Sequence, residues 1–198
     1  SEEEINRIWN AFLEKGSVLM PLDSYEWSEK YGWINDVYGI SWQLSLGGIE
    51  SVGQRLCPCL LFTGERYGQA EAAMQYYATV FKDHKLDGIL RYGGQETPDQ
   101  EGKIKHAQIA FLGHKFMFME SAQYHAFTFN EGVSLTIHCD TQEEIDYYWG
   151  KLTAGGQESM CGWLKDQFGV WWQVIPTVLT RIMGDPGKAG KAAKAFMQ

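Results

Sequence analysis

The sequence predicts an α+β protein made of strand–helix–strand–strand–strand (βαβββ) modules, with part of a further module at its N-terminal end. Three observations carry this. YGWINDVYGISWQL (31–44) returns as CGWLKDQFGVWWQV (161–174); EEINRIWNAFLEKG (3–16) returns as EEIDYYWGKLTAGG (143–156); and residues 57–81 and 132–149 both read as an apolar strand, a short turn and an amphipathic helix.

Taken in chain order, the first element is a helix. Ile5, Ile8, Trp9, Phe12 and Leu13 recur at three- and four-residue spacing and Gly16 follows, which predicts an amphipathic helix closed by glycine. Its acidic first turn suits the positive end of the helix dipole. Ile145, Tyr148, Trp149 and Leu152 repeat the stripe, with Gly156 in the place of Gly16. After the helix the constant offset of 140 falls to 130, because fifteen residues separate Gly16 from Gly32 and five separate Gly156 from Gly162. The first copy therefore carries a longer excursion. In both, Asp-x-x-Gly (Asp36, Gly39; Asp166, Gly169) predicts a turn, and GISWQLSL or GVWWQVIP a strand.

Residues 1–48 thus supply a helix and about three strands without an opening strand, the trailing half of a related domain, and 49–56 read as a linker. Residues 57–176 form a complete βαβββ–βαβββ domain. Its first helix carries Ala70, Ala73, Met74, Tyr77 and Phe81, and Leu112-Gly113-His114 joins two strands across 103–121 as a hairpin. The Gly-, Pro- and charge-rich stretch 91–103 reads as a surface loop that could cover a pocket. Residues 177–198 are a helical tail broken at Asp185-Pro186-Gly187, with Lys188, Lys191 and Lys194 on a solvated face and Phe196 and Met197 suited to docking on a partner. A half-module with an unpaired sheet edge is not expected to stand alone. Trp9, Trp33 and Trp42 demand burial, so it is expected to pack on the complete domain or on a second copy in a homodimer.

Composition excludes several classes. A formal charge of −8 without a basic stripe argues against nucleic acid and against anionic membrane surfaces as partners. No run approaches the roughly 18 apolar residues of a membrane span, and the acidic start SEEEINRIW is unlike a signal peptide, so a cytoplasmic location is expected. Cys57, Cys59, Cys139 and Cys161 form no CxxC pair, and spell neither a zinc knuckle nor a disulfide framework.

PCLLF-x-G followed by QAEAAMQYYATVFKD, then HAQIAF-LG-HKFMFMES, VSLTIHCDTQEEID and FGVWWQVIP, resembles the PhnB-like branch of the vicinal oxygen chelate superfamily, the set named for 3-demethylubiquinone 3-methyltransferase. The resemblance implies paired βαβββ modules forming a curved, cup-like mixed sheet. It settles no reaction, because one fold hosts many chemistries. The metal-using relatives take ligands from the first and last strand of each module. The matching positions here are Pro58, Phe116 or Met117, Ser134 and Gln173, a donor set too poor for a catalytic metal, so no metal and no cofactor is expected. Transmethylation is not expected either, since Gly47-Gly48 and Gly93-Gly94 do not lead from a strand into a helix.

Period two places Ser134, Thr136 and His138 on one strand face and Trp171, Gln173 and Ile175 on another, where they could line one cup with His106. Glu120 and His138 are the candidates for proton transfer. Each has a plainer reading as a structural or solvated residue, and Gln173 with its counterpart Gln43 reads equally as pocket wall or sheet scaffold. Three functions stay open: metal-independent binding of a small organic molecule, a glyoxalase-type lyase or isomerase using a divalent metal, and a structural homodimer with no ligand.

Overall fold

A computed structural model describes residues 1–196. The chain divides into two compact units, Ser1–Leu56 and the remainder from Cys57.

In the first unit, α1 (Glu2–Leu13) begins where the Ser1 hydroxyl accepts the Glu4 N–H, and buries Ile5 and Trp9. It lies on an antiparallel sheet of β1 (Ser17–Tyr25), β2 (Ser28–Asn35) and β3 (Ser41–Ser45), in that order. The longer excursion is hairpin: its extra residues extend the β1–β2 ladder to Tyr25 opposite Ser28. Gly32 is required by close approach, because a Cβ there would meet the Trp9 ring at 2.5 Å. The expected linker contains one helical turn, α2 (Ile49–Val52), closed by Gly53 at φ 76°.

The second unit contains two modules of the same order. β4 (Cys59–Thr63), α3 (Ala70–Val80), β5 (His84–Arg91), β6 (Ile104–Phe111) and β7 (His114–Ser121) make a sheet of order β4-β7-β6-β5, with β4 parallel to β7. β8 (Leu135–Cys139), α4 (Gln142–Thr153), β9 (Gln157–Glu158), β10 (Trp163–Lys165) and β11 (Trp171–Pro176) make β8-β11-β10-β9, with β8 parallel to β11. The tail forms α5 (Val178–Met183) and α6 (Ala189–Phe196) on either side of the Asp-Pro-Gly break. Met197 and the Phe196 side chain, expected to dock on a partner, lie outside the described residues.

The inner faces of both sheets and helices α3 and α4 share one core. Tyr77, buried on α3, is its centre: its ring meets Phe81, Phe111, Phe118, Phe168 and Trp172, so the first module's helix packs against the second module's sheet. α4 opens with a capping box in which Thr141 and Glu144 satisfy each other's backbone N–H groups. The Leu112–Gly113 hairpin has both residues at positive φ, 51° and 77°, as a two-residue turn of this hand requires. The loop after β5 is pinned: Asp99 accepts from Ala122 N–H at 2.7 Å, and Gln100 donates to the Tyr67 hydroxyl at 2.7 Å. Among the described residues no helix is long and apolar enough to cross a membrane.

Candidate ligand platform

Leu164, Trp172 and Val174 point from β10 and β11 into the core, so their neighbours Trp163, Lys165, Trp171, Gln173 and Ile175 point the other way. Register arranges them in rows. Lys165 stands opposite Trp171, and Trp163 opposite Gln173; across the parallel pairing Gln173 stands beside Thr136, and Ile175 beside His138. Gln173 donates from its amide nitrogen to the Ser134 hydroxyl at 2.7 Å. Trp163 and Trp171 meet edge to face at 6.4 Å, and the Lys165 ammonium lies over the Trp171 ring at 5.8 Å. Trp163, Lys165, Trp171 and Gln173 are half-buried and His138 is exposed. The result is a half-open platform of two indoles, an amide, a hydroxyl and a cation.

Ser134, His138, Trp171 and Gln173 therefore gather on one face. His106 lies on the other sheet, on the outer face of β6 beside Leu90. It borders a shallow recess of about 310 Å³ with Asp87, Gly88, Ile89, Leu90 and Gln108. Burial lowers the pKa of its imidazole, favouring the neutral ring. Glu120 is elsewhere again: 1% exposed and on the core side of β7, it accepts Ala70 N–H at 2.8 Å with one oxygen and Ile104 N–H at 2.7 Å with the other. Its position at a strand end suggests solvent, but two backbone donors converge there and hold the carboxylate inside.

The metal-position alignment shifts by one residue on the first module. Pro58 precedes β4 and contributes its carbonyl to Met117 N–H at 2.9 Å, while Leu60 and Phe62 face the core. The outward residues are Cys59, in place of Pro58, and opposite it Met117, one of the two positions read for the closing strand. The equivalent set is thus Cys59, Met117, Ser134 and Gln173: one thiol, a thioether, a hydroxyl and an amide, which fits a divalent catalytic metal poorly. Among the described residues no three His, Cys, Asp or Glu side chains cluster as metal ligands.

Sequence reading overlooked Trp163 and Lys165. Their signal is the period-two triplet Trp163-Leu164-Lys165, which places an indole and a cation on the same side as Gln173. The strand-to-helix turn read within 57–81 holds Gly64 and Gly68, both at positive φ, between β4 and α3, and is a nearer match to a cofactor-cradling turn than Gly47-Gly48 or Gly93-Gly94. The first backbone N–H of that helix is already taken by Glu120, so the turn does not present that group to a cofactor.

A profile of the family described as 3-demethylubiquinone-9 3-methyltransferase matches residues 1–45 and 54–175. The chain belongs to this family. The PhnB protein of Bacillus cereus is 34% identical, the match covering 63% of this chain and 100% of that one with a TM-score of 0.56. A Pseudomonas aeruginosa protein, 22% identical over 62% of this chain and 97% of its own, has a TM-score of 0.53 and shares the fold. No curated protein matches significantly. The resemblance to the PhnB-like branch read from the motifs is thus borne out, as are the paired βαβββ modules it implies. The family's name describes a reaction, and residues of this chain must carry whatever chemistry it performs.

Proposed function

We propose that this PhnB-like chain is a cytoplasmic, metal-independent binding protein that holds a small organic molecule against the outer face of β8, β11 and β10, and that a second copy closes this open face in a homodimer. The observation that carries the reading is the Gln173–Ser134 bond beside the Trp163–Trp171 pair. At two of the positions where superfamily relatives place metal ligands, this chain has tied an amide to a hydroxyl and set aromatic area next to it. Aromatic surface with a few fixed polar groups suits an organic ligand.

The lyase alternative would rest on His138, since Glu120 has both oxygens engaged by backbone. Transmethylation finds little support in the strand-to-helix turn at Gly64–Gly68, whose helix start is capped from inside.

Native mass spectrometry beside the denatured mass tests the proposal on the wild type and on Trp171→Ala. The expected result is a dimer carrying an organic mass that the variant loses. A monomer, an organic mass kept by the variant, or a stoichiometric divalent ion would overturn the corresponding part.

A further inference from the structure

The half-module at the N-terminus provides an internal comparison for the platform. Trp33 and Gln43 occupy the places of Trp163 and Gln173, and they pair across β2 and β3 as Trp163 and Gln173 pair across β10 and β11. The other two corners differ. Asn35 stands where the second module has Lys165, and Ser41 where it has Trp171. The Trp33 indole N–H is satisfied within the unit by Ser41 at 2.5 Å, and the Gln43 carbonyl oxygen accepts from the Tyr31 hydroxyl at 2.8 Å. In the second module Cys161 replaces Tyr31. Gln173 spends its amide nitrogen on Ser134, and among the described residues nothing donates to its carbonyl oxygen. One scaffold thus carries an internally satisfied face in one copy and unsatisfied chemistry in the other.

The four corners in the second module alternate. Trp163 and Trp171 occupy one diagonal, Lys165 and Gln173 the other. Diagonal neighbours on one face of an antiparallel pair stand roughly 7–8 Å apart, about the length of a single aromatic ring with a substituent at each end. Lys165 makes no ion pair with a carboxylate among the described residues, and its β9 neighbour is the neutral Gln157. Glu158 faces away, opposite Leu164, and accepts from the Trp149 indole. His138, two residues along from Thr136, is a further ionisable group on the face.

Resting on the binding reading above, we infer that the platform selects a planar aromatic acid with a hydrogen-bond donor at the far end of its ring. The ring lies across the indoles, its carboxylate meets Lys165, and its donor meets the carbonyl oxygen of Gln173. A charge-assisted bond to an ammonium fixes one end and the amide the other.

The experiment titrates four probes, 4-hydroxybenzoate, benzoate, 4-methylphenol and 4-hydroxybenzylamine, into the full chain while following the tryptophan indole N–H resonances. The hydroxy acid should bind tightest, with benzoate and the neutral phenol each weaker by about fivefold or more and the amine weakest, as loss of one directed polar contact implies. Lys165→Gln should lower affinity for the hydroxy acid about tenfold and bring it level with 4-methylphenol, while Lys165→Arg retains binding. Gln173→Leu should remove the advantage of 4-hydroxybenzoate over benzoate. If phenol and amine bind as well as the acid, or Lys165→Gln changes nothing, the ligand class is wrong while the platform stands. If none of the four probes moves the Trp163 and Trp171 signals, the inference falls, and the platform reading is left to the mass-spectrometric comparison of wild type and Trp171→Ala.

Discussion

Trp172 donates its indole N–H to an oxygen of Asp166 at 2.8 Å, and Trp42 makes the same bond to Asp36 at 2.9 Å. In each turn the other carboxylate oxygen accepts two backbone N–H groups, from Phe168 and Val170 in one copy and from Tyr38 and Ile40 in the other. The recurring Asp-x-x-Gly-x-x-Trp spacing is therefore a locked turn: a carboxylate satisfies the chain reversal and anchors the indole at the second residue of the following strand. Among the described residues the second copy adds a second side-chain donor, the Tyr77 hydroxyl at 2.6 Å, and buries the whole group. Burial raises the Asp166 pKa, an effect partly opposed by these donors.

Removing Asp166 leaves four donors unanswered in the core. Asp166→Ala should destabilise the second unit by about 3 kcal/mol or more, the range expected when buried donors lose a charged acceptor. Asp36→Ala, on a half-exposed turn that water can reach, should cost distinctly less. Urea denaturation of both variants checks the order, and equal losses would contradict it.

Tyr77→Phe isolates the hydroxyl. The ring contacts to Phe81, Phe111, Phe118, Phe168 and Trp172 persist, so only the bond to Asp166 is lost. A loss of about 1–2 kcal/mol is expected, against several for Tyr77→Ala, which also empties the centre of the core. Thermal unfolding of the pair separates the two contributions.

Glu120→Gln replaces an acceptor of two backbone N–H groups by an amide that can accept from only one. It should cost about 2 kcal/mol, with hydrogen exchange rising at Ala70 or Ile104, and leave probe binding on the platform unchanged. Loss of binding with stability intact would return Glu120 to the list of functional residues.

Much of this was legible in the sequence. The stripes of α1 and α4 follow from three- and four-residue spacing, and the β6–β7 turn from Leu112-Gly113. β5 was not, because all eight of its residues are exposed on an edge strand and no alternation marks it. Side assignment failed on β4 because Cys59 and Leu61 are as apolar as Leu60 and Phe62, so polarity does not distinguish the faces. Period two put Gln173 and Ser134 each on a face of its own strand, while their contact follows from the β8–β11 register; Glu120 was not readable as buried, since the N–H groups that hold it come from residues 50 and 16 positions away.

Gly32→Ala tests why the half-module carries glycine there. The added Cβ would meet the Trp9 ring at 2.5 Å and the Leu22 backbone at 3.0 Å. The ring must move, and overpacking of this kind costs about 1–3 kcal/mol. Hydrogen exchange should quicken in α1 and β2 while the β8–β11 ladder keeps its protection. A uniform response across both units would show that the clash is not confined to the Trp9 site.

Asp87 provides a pH test. Gln108, Lys115 and Lys85 all hold its carboxylate, at 2.9, 3.0 and 3.2 Å, and drive its pKa well below the ordinary 3.8. A depressed folded-state pKa contributes stability that is present above the unfolded value and is lost as pH falls towards the folded one. Wild-type melting temperature should therefore fall more steeply than that of Asp87→Asn as the pH drops below about 4, with the variant less stable at neutral pH. Parallel curves across that window would mean that the ion pairs on this exposed face are screened to no consequence.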